Sequence, residues 1–316
     1  MMKFINSKSN NVYYNLALEE YLFTNMMDDD FLLLWVNDPC IVVGKHKNIF
    51  EEVNCKEIQK NGVPVARRHS GGGTVFHDNG NLNFTFITDY HPDRFSGYDE
   101  FLSPIIKILN EMGIAAEKSK VCDIAIGDKK ISGNAQSIKK NRVLHHGTLL
   151  FDSDLDALRA ILKPAEGEFK SKAVKSVRSS VTNIVDHLGD KKFDFDGFRD
   201  RILNSFFENE IDEFRLSEAD IKQIRELEKT KYITWEWIYG FSPTFRYKKQ
   251  SDFKGHQVDL VLIVEKGKIK ECKLKSKTLS VEKIESLLLG QPYDYIALSD
   301  LCSGIKDLEN FADYLF

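Results

Sequence analysis

Between Asn11 and Phe23 apolar and polar positions recur with a period near four, with Leu16, Glu19, Glu20 and Phe23 in step. That spacing predicts a helix capped by Asn10 or Asn11. The pattern then changes to unbroken apolar runs, FLLLWV at 31–36 and CIVVG at 40–44. Each has the length of a buried strand, and Asn37-Asp38-Pro39 supplies a turn between them. Val53–Lys60 suits a short helix stopped by Asn61-Gly62, and VPVARR at 63–68 a strand running into a glycine cluster. In LNFTFI (82–87), Leu82, Phe84 and Phe86 share one face of a strand. A helix over Tyr98–Met112 precedes short strands near Ile114, at Cys122–Ile126, Lys130–Ala135 and Val143–Phe151, with Gly127-Asp128 turning a hairpin.

After Phe151 the pattern loosens. Ser153–Leu162 predicts a capped helix, Lys163–Ser180 a loop rich in Lys, Gly and Ser, and helices follow at 196–208 and 217–229. TWEWIYGFSPTF (234–245) reads as the end of a larger unit. From Tyr247 a hairpin begins: Val258, Leu260, Leu262 and Val264 alternate, EKGK turns, and IKECKLKS returns. Antiparallel strands with helices segregated from them predict an α+β fold of mixed, mainly antiparallel sheets flanked by helices. A chain of 316 residues exceeds a typical single core, so two domains are expected: 1–246, and a small α+β accessory domain at 247–316.

Charge and cysteine usage narrow the function. With 44 basic against 48 acidic side chains the chain lacks the basic excess a nucleic-acid binder needs. Cys40, Cys55, Cys122, Cys272 and Cys302 are scattered, without CxxC spacing, which points to reduced thiols. The N-terminal stretch lacks a signal-like apolar run, and no run approaches a bilayer span. The expected location is the cytoplasm, with no membrane or nucleic-acid partner.

The candidate chemistry lies in RRHSGGGTVFHDNGNLNFTF, Arg67–Phe86. Glycines in a strand cost about 0.5–1 kcal/mol each, so three in a row answer a local need. The need is a sharp turn, or close backbone approach to a ligand, with successive N–H groups forming a nest for an anion. Arg67 and Arg68 point to opposite faces of a strand, so only one can line the loop's pocket. A guanidinium there suits phosphate or carboxylate. Neither GxxxxGK[ST] nor a dinucleotide fingerprint is present. On composition alone a tight hairpin with solvated arginines explains the segment equally well. His145 and His146 are neighbours on a strand and diverge, no ligand spacing completes a zinc site, and His69 and His77 read as structural, so no transition metal is expected.

The wider pattern shifts the balance. RRHSGGGTVFHDNGN resembles the signature loop of the lipoate–protein ligases, in a superfamily with biotin–protein ligases and octanoyl transferases. GDKKISGNAQ (127–136), HHGTLLF (145–151), KSVRSSVTNI (175–184) and WIYGFSPTF (237–245) resemble further family segments in the same order, starting from NLALEE (15–20). The stretch 247–316 resembles the ligases' accessory domain, which the transferases lack.

The resemblance implies a biotin/lipoyl protein ligase-like catalytic domain that activates lipoate with ATP and Mg²⁺. Lipoyl-AMP would then pass its acyl group to a lysine of apo carriers: lipoyl domains of 2-oxoacid dehydrogenase E2 subunits, or the glycine cleavage H protein. Attack of a carboxylate on a phosphate joins two anions, so cations must sit where charge develops. The family pattern picks out Lys130 as the catalytic lysine and leaves Lys129 in solvent. It assigns Arg68, Ser70, Gly73, Thr74, Val75 and Phe76 to the adenylate and lipoyl carboxyl end, gives Asn81 an amide contact, and sets Thr148 nearby. Asp123 resembles the acidic residue that helps hold Mg²⁺.

Leu16, Trp35 and Val75 are candidates for the acyl pocket. Lys163, Lys170, Lys172, Lys175 and Arg178 read as a loop closing over the adenylate, or equally as a solvated loop. Ser137 stands where some relatives place an arginine. The alternatives are an ATP-independent acyltransferase working through a Cys thioester, for which Cys122 sits too near the lysine, and a non-catalytic carrier-binding protein. Biotin ligation fits less well, since that family carries a different glycine–arginine loop.

Overall fold

The structure is a computed structural model that describes residues 2–93, 97–163, 166–174, 179–189, 193–207, 210–305 and 308–316. β1 (Met2–Asn6) leads into helix α1 (Val12–Asn25), where the Asn11 side chain accepts from the N–H groups of Tyr13 and Tyr14. β2 (Asp30–Trp35) returns parallel to β1. Its alternation feeds two cores: Leu32 and Leu34 face one side of the sheet, Phe31, Leu33 and Trp35 the other.

The second apolar run does not pair with the first. β3 (Cys40–Val43) joins β4 (Val65–Arg67) and β5 (Val75–His77) in a separate sheet of order β4-β3-β5. β6 (Asn81–Asp89), β7 (Ala116–Ser119), β8 (Asp123–Ile126), β9 (Lys129–Lys139) and β10 (Arg142–Leu150) complete the main sheet, ordered β1-β2-β6-β10-β9-β8-β7 and antiparallel beyond the β1–β2 pair. Residues 81–87 are all buried because both faces are covered. The helices Asp99–Glu111 and Phe195–Asn204 pack on the Leu82–Phe84–Phe86 side, α1 on the other. The fold is α+β, as expected.

The expected loop at 163–180 contains a strand. β11 (Glu168–Ser171) is the edge of a four-stranded antiparallel sheet completed by β12 (Phe245–Phe253), β13 (His256–Glu265) and β14 (Lys268–Ser276). Phe169 is the lone apolar residue of β11, and its ring packs 4.6 Å from that of Tyr247. The expected division after residue 246 falls inside β12. One apolar cluster joins the small sheet to this C-terminal sheet: Ile41, Val43, Phe50 and Val65 pack with Phe245, Leu260 and Tyr293. Phe50 lies 5.2 Å from the Phe245 ring and 5.0 Å from the Tyr293 ring, and burying such a side chain stabilises by about 1.5–3 kcal/mol. Among the described residues no helix is long and apolar enough to cross a membrane.

Candidate functional site

Arg67 and Arg68 separate as strand geometry demands. Arg67 is fully buried and donates to the carbonyls of Gly44, Lys45, Lys47, Trp237 and Ile238 and to Ser242 Oγ. It ties the turn after β3 to the segment entering the C-terminal sheet. Arg68, on the opposite face, lines a cleft of about 590 Å³. Its Nη2 donates to Gly71 O (2.6 Å) and Gly73 O (2.7 Å), and its Nε to Ser70 Oγ (3.1 Å). The glycine loop is thus folded around a guanidinium. Gly72 has φ +87°, and a Cβ there would lie 2.7 Å from Arg68 Nη2, so neither backbone nor space admits another residue. Burial lowers both guanidinium pKa values to about 10, which leaves both charged at neutral pH.

Lys130 lines the same cleft. Its ammonium lies 2.8 Å from Asp123 Oδ1 on the neighbouring strand β8, with 27% of the lysine side chain exposed. The β8–β9 register slips at Ile124/Ala125, and Lys130 folds back over Gly133, where a Cβ would lie 2.7 Å from Nζ. The spacing of lysine and glycine in KISG therefore has a steric cause. The Lys130 main chain also pairs outward, its N–H donating to Ser180 O and its carbonyl accepting from Thr182 N–H. Thr148 Oγ1 accepts from Gly133 N–H at 3.2 Å.

The histidine pair diverges as expected. His145 is sandwiched against Phe101, centroids 4.7 Å apart, and burial drives its pKa down to about 3. His146 faces the cleft, with Nε2 2.6 Å from Ser70 Oγ and Nδ1 3.0 Å from Glu19 of α1. A buried chain from Glu19 through His146 and Ser70 to Arg68 underlies the cleft floor.

Gly73, Thr74, Val75, Arg68, Lys130, Asp123 and Thr148 all line this cleft, as do Leu16, Trp35 and Val75 among the acyl-pocket candidates. Three of the expected residues are not among those lining the cleft. Phe76 points into the core because β5 alternates Val75 and His77 toward the cleft. Ser70 sits beneath the floor, 1% exposed. Asn81 is fully buried one pleat behind Asn83: its Nδ2 donates to Asn83 Oδ1 at 3.0 Å, and Asn83 meets the cleft.

Of the loop cations, Lys172 lines the cleft and Lys170 pairs with Glu168 in β11. Lys163 and Ser137 are not among the cleft-lining residues, and Lys175 and Arg178 lie outside the described residues. Sequence reasoning missed His46, Lys47, Asn83 and Lys120. The signal for the first two was a second glycine, Gly44, ahead of KHK. A Cβ on Gly44 would sit 2.1 Å from Gly72 O, so this turn abuts the glycine loop.

Asp123, expected to hold magnesium, is engaged with Lys130. The donor set fits a magnesium ion carried in by a polyphosphate, with Asp123 giving one oxygen and phosphate and water the others. It does not fit a metal held by protein alone, because no three metal-ligating side chains converge among the described residues. Cys122 also lines the cleft, and burial, followed by the Asp123 charge, raises its thiol pKa.

Comparison with known proteins identifies the family. The description "Lipoyl protein ligase A/B catalytic domain" matches residues 11–207, and "Bacterial lipoate protein ligase C-terminus" matches 242–314. The chain is similar to lipoate-protein ligase LplJ of Bacillus subtilis, 39% identical, with 96% of this chain and 95% of that protein covered. A bi-partite lipoate protein ligase of Thermoplasma acidophilum, solved as part of a lipoylation system with its E2 lipoyl domain, is 30% identical at a TM-score of 0.65, covering 76% of this chain and 96% of that one. A lipoate-protein ligase A solved with bound ATP is 28% identical at a TM-score of 0.64, covering 76% and 98%.

Proposed function

The chain belongs to the lipoate–protein ligase family and is an enzyme, and from that premise we propose that it joins lipoate to ATP as lipoyl-AMP and then transfers the lipoyl group to a carrier lysine. The observation that carries the reading is a lysine ammonium and a glycine loop folded around a guanidinium, lining one cleft. A lipoate carboxylate oxygen attacks the α-phosphorus of ATP, and the bond to the bridging oxygen breaks with its electrons leaving on pyrophosphate. Lys130 neutralises charge where the two anions meet, and Arg68 holds the loop in the shape that receives the phosphate. Removing one such preorganised donor typically costs about 10²–10³ in rate. Asp123 keeps the Lys130 ammonium in place and would give one oxygen to a magnesium ion arriving with ATP.

The dithiolane and acyl chain fit the wall of Leu16, Trp35 and Val75, which keeps water from the mixed anhydride. In the second step the carrier amine attacks the activated carbonyl and AMP leaves. The carrier is an E2 lipoyl domain, as in the archaeal system, or the H protein. All five cysteines are free, which suits a cytoplasmic setting.

Mass spectrometry of an apo lipoyl domain after incubation with the protein, lipoate, ATP and Mg²⁺ tests this. A gain of one lipoyl group that vanishes without ATP is expected. A second reading, acyl transfer through a Cys122 thioester, draws on the place of that thiol in the cleft. Its raised pKa disfavours the thiolate, and ATP-free transfer from an acylated donor domain, whose own amine or thiol is the leaving group, to the apo domain would favour it over ligation.

A further inference from the structure

We propose that Lys47 is a phosphate-binding residue of this site, contacting the terminal phosphates of the nucleotide that depart as pyrophosphate. The inference rests on the ligase reading given above.

Lys47 belongs to the turn after β3 and is only 8% exposed, yet it lines the cleft. Buried ammonium groups are retained where an acceptor compensates their lost hydration. Here the ammonium donates to the Val174 carbonyl, a neutral acceptor, and stands 3.8 Å from the Glu52 carboxylate. A phosphate oxygen would give it a charge-assisted bond in place of that neutral one. Its main chain is held ready: the N–H donates to Gly44 O, and the carbonyl accepts from Arg67 Nη1 at 2.8 Å.

The position selects the terminal phosphates. The turn carrying Lys47 and the strand β9 carrying Lys130 both contact the glycine loop. The loop lies between these two elements: a Cβ on Gly44 would sit 2.1 Å from Gly72 O, and one on Gly72 would sit 3.4 Å from the Ala135 Cβ of β9. With Lys130 at the carboxylate and α-phosphate, Lys47 faces the far end. The charge lining the cleft agrees: among described residues Lys47, Arg68, Lys120, Lys130 and Lys172 face a single carboxylate, Asp123. Two anions do not require so many cations when only an adenylate is held. Expelling pyrophosphate does, because charge accumulates on the leaving oxygen.

Calorimetric titration of the full chain with ATP and with AMP tests this, using Lys47→Gln and Lys47→Met, the second keeping the apolar stem in its packed place. Both variants are expected to lose about tenfold in affinity for ATP and less than twofold for AMP, with Lys47→Arg restoring most of the loss. The exposed Lys129→Gln serves as the control. Equal losses for ATP and AMP, or none for either, overturn the proposal. If the unaltered protein binds ATP and lipoylates its carrier while both variants match it, this inference alone falls. If the unaltered protein neither binds ATP nor releases pyrophosphate, the ligase reading falls and takes this inference with it.

Discussion

Gly133→Ala isolates the position of one ammonium from the stability of the fold. The new Cβ would meet Lys130 Nζ at 2.7 Å and Cε at 2.9 Å. Uncrowded contacts need about 3.5 Å, so the ammonium must retreat by about 0.8 Å. The retreat is cheap for folding, because the atoms met are the end of a flexible side chain rather than backbone. It is costly for the reaction, since displacement on the order of 1 Å at a reacting centre can lower the rate about 10²-fold, equivalent to about 2.7 kcal/mol. Pyrophosphate release with lipoate and ATP, measured beside a thermal melt, gives both quantities. We expect kcat/KM to fall about 100-fold while the melting temperature stays within about 2 °C, a shift worth less than about 1 kcal/mol. An alanine variant that keeps its rate within threefold would refute the claim that activation depends on where this lysine stands.

Three further outcomes follow from the same contacts. Arg67→Met leaves five carbonyls and the Ser242 hydroxyl without their donor and should cost about 3–5 kcal/mol in chemical denaturation, whereas a loss under about 1 kcal/mol would contradict its role as a tie. Burial depresses the pKa of His69 to about 4 and those of His77 and His145 to about 3, so below pH 6.5 the unfolded chain takes up protons that the native one refuses. Stability should fall on acidification from pH 6.5 toward 4, by up to about 1.4 kcal/mol per pH unit for each histidine, and a flat profile there would be inconsistent with three imidazoles held neutral. Asn83→Ala should raise KM for lipoate several-fold with little loss of stability relative to Asn81→Ala, which should mainly lower the melting temperature; the reverse pattern would put Asn81 at the ligand.

What could be read without coordinates follows from how local each cause is. The alternation in β6 and β13, the Asn11 cap and the divergence of Arg67 from Arg68 depend on neighbours in sequence and emerged from pattern alone. The face of β6 was legible, but not which of Asn81 and Asn83 reaches the cleft, because depth along a strand depends on what covers its end. β11 stayed hidden because Phe169 is its one apolar residue, and its partner β12 lies far along the chain. Lys47 looked like any surface lysine, since its burial comes from a turn pressed onto the glycine loop and a carbonyl from a distant segment. The steric reason for glycine at 133 likewise needed a register slip that no periodicity encodes.

The apolar cluster shared by the small sheet and the C-terminal hairpins constrains how this gene can be cut or recombined. A fragment ending at residue 246 would keep two residues of the nine-residue β12 and would present Ile41, Val43 and Phe50 to water as an adhesive patch. Exchange of tails between relatives must therefore carry both sides of that seam together, and β11 with them, or the hybrid inherits mismatched halves of a single interior.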